Sequence, residues 1–328
     1  MKKIITLSSE DKVYIAVYHL GYSKQGESNI FILYTEEKVL YSLTIDCYQE
    51  EQCNMTDQIL SELGLENKLN VFIWTHPHDD HSIGIKDIIK KYCNKDSLIF
   101  LANVFGCYDK LSVVCQQNID YLKSINYRKQ VKDKWKIHSY VHYPEVMDEI
   151  IFNGENEVKK ISVHSISPFT QIGGMLGTEE KIDCNKLGIA CILMLELKDC
   201  NMNFLFGGDM EKYTIQALIE ENDDSLPRVF NYIKIPHHGS KNAENMIEYL
   251  KWDNSIKSEF ASTSVFTQKN LPRKEVLKKY REVVDEIACT SNIEDDIYGQ
   301  GMICLKYDVM KREVIKEFWG TAKVVNYS

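Results

Sequence analysis

Three histidines and two aspartates lie within six consecutive residues of one short segment, which runs from residue 76 to residue 81. Imidazole nitrogen and carboxylate oxygen are ligands that zinc and similar divalent metals take, and a catalytic metal site keeps one position open for water. A His-x-His-x-Asp-His pattern can supply ligands to two neighbouring metals from one loop. The segment therefore predicts a metal site whose ligands include His76, His78, Asp80 and His81.

The elements on either side of this segment would hold it in place. The apolar run Val71-Phe72-Ile73-Trp74 directly before it indicates a buried strand. After it, apolar residues recur at helical spacing and predict an amphipathic helix over 85–92. The histidines are thus expected on a strand-to-helix loop fixed by core at both ends. A solvated polar loop is the alternative interpretation.

A second candidate lies at the end of the apolar run 204–206, which leads into Gly207, Gly208 and Asp209. Glycines let the backbone turn tightly and approach a metal closely. Asp209 is therefore predicted to be a carboxylate that bridges two metals. Because residues 210–221 are typical of a helix, a helix cap is the other interpretation of Asp209.

A third candidate is a histidine pair, His237 and His238, which follows a β-rich run and Pro236. An imidazole that is buried without partners is costly, so packing alone seldom explains such a pair. One histidine could ligate a metal, while the other contacts a phosphate oxygen or the leaving group. Both are candidate catalytic residues and His238 a candidate ligand, although the sequence leaves their division of roles open.

Composition restricts the class of protein. The chain has 328 residues, of which 44% are hydrophobic and 27% charged, and its ten cysteines include no Cys-x-x-Cys pair. No apolar stretch has the length of a bilayer span, and charge follows the first residues too soon for a signal peptide. We expect a cytoplasmic protein without a membrane partner. The net charge of −9 disfavours a broad surface for non-specific nucleic-acid binding.

These motifs together resemble a known family. The pattern of residues 76–81 resembles the signature of the metallo-β-lactamase-fold hydrolases, and the segments GGD at 207–209 and KIPHHGS at 234–240 are similar to the soluble hydrolase domain of ComEC-type competence proteins. The resemblance covers about residues 12–307. It implies the α/β class, an αββα four-layer sandwich, and one domain over 1–328 with a mostly helical insert at about 106–153.

The resemblance also implies site residues. An early aspartate, here Asp46, would support a ligand from behind, although a turn carboxylate is an equal alternative. A further ligand histidine would come from His138, His142 or His164, and His164 is preferred because it lies on a strand-like segment. Relatives often have a histidine where this chain has Leu271, so the second metal could lack a fourth protein ligand.

The insert contains basic residues among aromatic ones. They could form a lid that meets phosphate or bases, or they could simply be a solvated helical surface. The residues concerned are Tyr121, Lys123, Tyr127, Arg128, Lys129, Lys132, Lys134, Trp135 and Lys136.

The function expected from these features is hydrolysis with two divalent metals, zinc first and manganese second. A metal-bridging hydroxide would attack a phosphodiester in a nucleic acid or a smaller molecule, with Asp79 orienting or deprotonating the water and Asp80 essential. One alternative is a hydrolase of a lactone, thioester or other acyl compound. Another is a non-catalytic binding protein on a decayed hydrolase fold, which Leu271 favours.

Overall fold

The structure is a computed structural model that describes residues 3–102, 105–126, 134–170, 184–251 and 255–326. Its strands are β1 (Lys3–Thr6), β2 (Val13–Gly21), β3 (Glu27–Thr35), β4 (Val39–Ile45), β5 (Val71–Trp74), β6 (Leu98–Leu101), β7 (Lys136–His138), β8 (Glu145–Asn153), β9 (Val158–Ser167), β10 (Ala190–Leu197), β11 (Asn201–Phe206), β12 (Tyr232–Lys234), β13 (Ser258–Thr263), β14 (Val284–Cys289), β15 (Gly301–Asp308), β16 (Glu313–Gly320) and β17 (Lys323–Val324). Its α-helices are α1 (Met55–Glu62), α2 (Ile85–Tyr92), α3 (Val113–Asn126), α4 (Lys212–Glu221), α5 (Met246–Leu250) and α6 (Lys274–Tyr280).

The strands form two sheets. The first has the order β16-β15-β2-β3-β4-β5-β6-β7, antiparallel from β16 to β4 and parallel from β4 to β7. The second has the order β1-β8-β9-β10-β11-β12-β13-β14-β17, and β11 to β14 run parallel. Each sheet therefore contains a parallel segment whose carboxyl ends can present loops at one edge, where ligand sites of such sheets lie.

The two sheets pack face to face, and helices cover their outer faces. Alternation within single strands shows this: Phe204 and Phe206 of β11 lie in the core between the sheets, whereas Leu205 packs under the helices. In β5, Ile73 faces the same central core and Trp74 packs against α2 and α3. The layers are thus helix, sheet, sheet and helix, which confirms the predicted α/β four-layer sandwich.

The predicted elements around the histidine loop match the structure closely. β5 and α2 occupy 71–74 and 85–92, as the apolar run and the helical spacing predict.

The stretch at about 106–153 was expected to be mostly helical, and this expectation needs correction. The stretch contains α3, but it also contains β7, which joins the first sheet, and β8, which joins the second. Charged residues interrupt β8 (EVMDEIIFN), because only one of its faces meets the core, and they conceal the strand pattern. Residues 127–133 of the basic stretch lie outside the described residues.

Two smaller observations bear on the compartment. No helix in the described ranges combines the length and apolarity needed to cross a membrane. The nine cysteines whose side chains are described are all free thiols, as expected for a chain that needs no disulfides. The cytoplasmic location stays a prediction.

A core substitution tests the packing of the two sheets. Phe31 of β3 and Phe204 of β11 meet edge to face across the central core, with ring centroids 5.1 Å apart. We expect Phe204→Ala to lower the free energy of unfolding by about 3–5 kcal/mol, through lost transfer energy and a residual cavity. Urea denaturation measures this. The matched control is Ile315→Ala on β16, an exposed side chain whose removal should cost less than about 0.5 kcal/mol; equal losses would contradict the packing described.

Candidate metal centre

The predicted site residues come from three strand ends that meet between the sheets. The histidine loop leaves β5 and closes in a 3₁₀ turn over Asp79–His81. Asp209 follows β11, and a second 3₁₀ turn over Pro236–Gly239 follows β12. At Gly208, which has a φ of 49°, a Cβ would lie only 2.8 Å from the Ile189 carbonyl oxygen, so glycine permits this close turn.

Asp209 lies at the middle of a buried cluster of histidines. Its Oδ2 is 3.7 Å from His76 Nε2, and its Oδ1 is 3.5 Å from His81 Nε2 and 3.9 Å from His238 Nε2. Asp80 Oδ2 lies 3.3 Å from His238 Nε2 and 3.7 Å from His81 Nε2. Segments far apart in sequence therefore converge on one point, as the three motifs predict.

Three buried histidines of the cluster, His76, His81 and His238, use one ring nitrogen for the protein and leave the other free. Nδ1 of His76 contacts Thr75 Oγ1 at 3.0 Å, that of His81 contacts Asp46 Oδ2 at 2.7 Å, and that of His238 contacts Ser264 Oγ at 2.8 Å. All three Nε2 atoms, and Oδ1 of Asp209, are buried without a hydrogen-bond partner among the described residues. Because such atoms are costly unless they are satisfied, this donor set fits divalent metal ions.

Asp46 fixes the orientation of the His76 and His81 rings through hydrogen bonds on their Nδ1 side. Its Oδ1 accepts from the Thr75 backbone N–H at 2.7 Å, and its Oδ2 accepts from Thr75 Oγ1 at 2.6 Å. Since the Thr75 hydroxyl donates to Asp46, it can accept from His76 Nδ1, while His81 Nδ1 donates to Asp46 directly. Carboxylates in this position set the tautomer and orientation of metal-ligating histidines. The supporting role expected of Asp46 agrees with this geometry.

Glu27 repeats the arrangement on the opposite side. The Ser264 hydroxyl donates to Glu27 Oε2 at 2.5 Å and is placed to accept from His238 Nδ1. Glu27 also forms a short ion pair with Lys234, and both side chains are almost completely buried. Lys234 donates in turn to the Gly208 carbonyl oxygen at 2.9 Å and lies 3.7 Å from Asp209 Oδ1. Burial opposes the charge on both partners, yet the ion pair lowers the pKa of Glu27 and raises that of Lys234.

The histidine pair occupies an unusual backbone. His237 and His238 have φ values of 46° and 49°, and Gly239 follows with 70°. Left-handed conformations cost about 1–3 kcal/mol for a residue other than glycine and cluster at functional sites. The turn separates the two rings: His238 is fully buried in the cluster, whereas His237 Nδ1 lies 2.9 Å from Glu211 Oε1 and its Nε2 3.9 Å from Asp209 Oδ2.

Electrostatics keep the carboxylates of the cluster ionised. Burial lowers the pKa of His76 well below its usual range, which leaves its ring neutral. Burial also acts against the charges of His81 and Asp209, but their mutual attraction outweighs it, raising the pKa of His81 and lowering that of Asp209. The pKa of Asp80 is likewise lowered against the effect of burial, mainly by His81. Ionised carboxylate and neutral imidazole are the forms that bind metal, so His76, Asp80 and Asp209 are in the binding form, whereas His81 would release a proton when a metal binds.

Not every predicted residue joins the cluster. His78 lies next to the cluster, and the centroid of its ring is 4.6 Å from that of His76. Asp79 is exposed, and its Oδ1 accepts a hydrogen bond from the Ser112 hydroxyl. His164 does not come close: its Nε2 contacts Ser162 Oγ on its own strand, and its register partner Ile192 packs under the helices. This corrects the preference for His164 as a ligand, because strand alternation turns its side chain away from the space between the sheets.

Sequence reasoning missed the residues behind the ligands. Glu27, Ser264 and Lys234 contact candidate ligands in space, but the sequence motifs assign none of them a role. Lys234, which opens the segment at 234–240, gave one signal, since a lysine within the apolar run 232–235 must find a buried partner. Leu271, where a ligand histidine was expected, is buried on the segment that follows β13, and His238 provides the donor near Asp80 instead.

Comparison with known proteins gives only remote likenesses. No protein-family model and no curated protein matches the chain. Among solved structures, MEM-A1, a subclass B3 metallo-beta-lactamase from a soil metagenome library, is similar with a TM-score of 0.35 and 10% identity over 81% of this chain and 89% of that one. A candidate metallo-beta-lactamase from Thermotoga maritima gives a TM-score of 0.34 and 12% identity over 66% and 93%. Sequence identities and TM-scores this low identify neither a family nor a reaction for this chain.

A double-mutant cycle tests the buried ion pair. We expect Lys234→Met alone to lower the free energy of unfolding by about 3–5 kcal/mol, because it leaves Glu27 buried without its cation. Glu27→Gln combined with Lys234→Met should cost less than the sum of the single changes, by about 0.5–3 kcal/mol. The exposed pair Lys12 and Glu36, whose atoms are 3.2 Å apart, is the control and should show no measurable coupling. Strict additivity at the buried pair would rule out the interaction.

Proposed function

We propose that this chain is a metal-dependent hydrolase of the metallo-β-lactamase type that cleaves phosphodiesters. The observation that carries the proposal is the set of buried, unpartnered donor atoms aimed at one another: the Nε2 atoms of His76, His81 and His238, and Oδ1 of Asp209. Protein interiors rarely leave such atoms unsatisfied, and each costs about 1–3 kcal/mol when it is. Bound cations would satisfy all of them together.

The cluster divides naturally between two metals. Asp80, His81 and His238 form one group of donors that lie within 4.8 Å of one another, and His76, His81 and Asp209 form another. We assign His76 and His78 to the first metal, and Asp80, His81 and His238 to the second. Asp209 would be shared, since its two oxygens face different histidines. His238 then supplies the donor that Leu271 does not.

Two divalent metals bound here would lower the pKa of a water towards 7 and stabilise negative charge on the attacked group. Side chains of the protein would orient the ligands and contact the substrate. Asp46 and Glu27 hold the ligand rings through Nδ1, and burial of these groups strengthens each of these contacts. His237, paired with Glu211 at the edge of the cluster, is placed to donate a hydrogen bond to a substrate oxygen.

The phosphodiester assignment is supported by the similarity of segments 207–209 and 234–240 to ComEC-type hydrolases, and by two-metal sites being typical of nucleases and phosphatases. The same metal chemistry serves lactones and thioesters, so an acyl substrate is the second candidate. A decayed, non-catalytic protein is disfavoured, because unpartnered buried donors would be a cost without a benefit. Zinc is the metal we propose, with manganese next.

Substitution of a ligand tests the activity. We expect the Asp80→Ala variant to lose hydrolysis of bis(p-nitrophenyl) phosphate by at least about a hundredfold, the range of effects seen when charge stabilisation is removed from an active site. The control is His164→Ala, which removes a half-buried histidine outside the cluster and should retain activity. Unchanged turnover in Asp80→Ala would refute the metal mechanism, whereas turnover only of lactones or thioesters would favour the acyl alternative.

Metal content tests the binuclear assignment independently. Elemental analysis of protein purified without added metal should find two equivalents of metal per chain, and Asp209→Ala should lose most of both, because Asp209 faces both groups of ligands. His164→Ala should match the unmodified protein. One equivalent would overturn the two-metal assignment, and none after soaking in zinc or manganese would overturn the proposed function itself.

A further inference from the structure

A cleft of about 750 Å³ opens beside the metal cluster. One wall is the segment 267–275, between β13 and α6, and another is the β2–β3 connection at Ser23 and Lys24. The two walls are joined directly, since the backbone N–H of Thr267 donates to the Lys24 carbonyl oxygen at 2.7 Å. The cleft is thus built from both sheets and not from one mobile loop.

The same segment touches the metal cluster. The Arg273 backbone N–H donates to the Gly239 carbonyl oxygen at 3.1 Å, one residue beyond the ligand His238. Pro272 packs so closely on Gly239 that a Cβ there would lie 2.9 Å from the Pro272 Cβ. The ring of Phe266 meets that of His238 edge on, with centroids 5.9 Å apart. The wall of the cleft is therefore in direct contact with the turn that carries His238.

The cations of this region are exposed and lack ion pairs. Lys24, Arg273 and Lys274 line the cleft, and none forms an ion pair within the described part of the chain, although Glu275 and Asp296 also line it. Lys269 is exposed at the rim of the cleft, between the lining residues Thr267 and Asn270, and its Nζ lies 5.1 Å from the centroid of the Phe266 ring, which in turn meets His238. Such a grouping is notable in a chain with a net charge of −9.

We propose that this cleft binds a phosphate group adjacent to the one being cleaved, with Arg273 and Lys269 as its main contacts. The inference rests on the proposed phosphodiesterase function and narrows its substrate to a chain of successive phosphodiesters, such as a single-stranded oligonucleotide. Arg273 would supply a planar pair of donors to phosphate oxygens, and Lys269 a point charge on the path to the metals. Glu275 and Asp296, the acidic residues of the cleft, would repel a second phosphate deeper inside it.

The test compares the metal-loaded protein with the double variant Lys269→Gln/Arg273→Gln. The expected result is that kcat/KM for a single-stranded DNA oligonucleotide falls at least about tenfold further than kcat/KM for bis(p-nitrophenyl) phosphate, which has no second phosphate. In fluorescence anisotropy with a labelled phosphorothioate oligonucleotide, the slope of log K against log salt should shrink by about 0.7 for each lost contact. The control Lys38→Gln removes an exposed lysine at the far end of β3 from Lys24 and should leave both readouts unchanged.

The proposal of a phosphate-binding cleft would be overturned if the double variant lost kcat/KM equally for the two substrates. It would also be overturned if the double variant bound the oligonucleotide as tightly as the unmodified protein. Failure of the proposed function has a different signature, namely that the unmodified, metal-loaded protein hydrolyses neither phosphodiester. In that case the anisotropy measurement alone decides the cleft: weaker binding in the double variant than in Lys38→Gln supports it, and equal binding overturns it.

Discussion

The carboxylate of Asp46 accepts hydrogen bonds from the Thr75 backbone, the Thr75 hydroxyl and His81, and the geometry of the centre depends on this contact. It orients His81 directly and His76 through one hydroxyl. Glu27 and Ser264 do the same for His238. Each buried imidazole is thereby held at Nδ1, which leaves Nε2 as the only atom free for another partner. The site is therefore defined as much by these carboxylates as by its ligands.

The interior that holds this network is mostly apolar, so its polar groups have to satisfy one another. Lys234 illustrates the constraint, because its ammonium group pairs with Glu27 and also donates to the Gly208 carbonyl. That single side chain connects the carboxylate behind His238 to the turn that carries Asp209. Buried pairs of this kind add little net stability but are costly to break, so they favour one arrangement over its alternatives. The strained turn at His237 and His238 persists within the same frame.

The strand, loop and helix around the histidine motif could be predicted from sequence because local patterns carry that information, whereas the four-layer sandwich was implied by the family resemblance. The apolar alternation and helical spacing around residues 71–92 specify a strand, a loop and a helix, and ligand-rich motifs stand at three strand ends. The second carboxylate could not be predicted, since Glu27 meets Ser264 across 237 residues of sequence. His164 shows the opposite failure: a histidine on a strand was a reasonable choice, but the face on which it lies is decided by register, which a single strand does not reveal.

The separation between the contacts of Asp46 and those of Glu27 has a consequence for how the protein is made. Asp46 bonds Thr75 and His81 within 29 and 35 residues, so this half of the centre can assemble once β4, β5 and the histidine loop have been synthesised. The half that contains Glu27 must wait for β12 and for Ser264 after β13, which is 237 residues further along the chain than Glu27. During synthesis on the ribosome, the nascent chain therefore presents only part of the candidate ligand set before β12 and β13 have been made. The complete donor cluster is formed only late in folding.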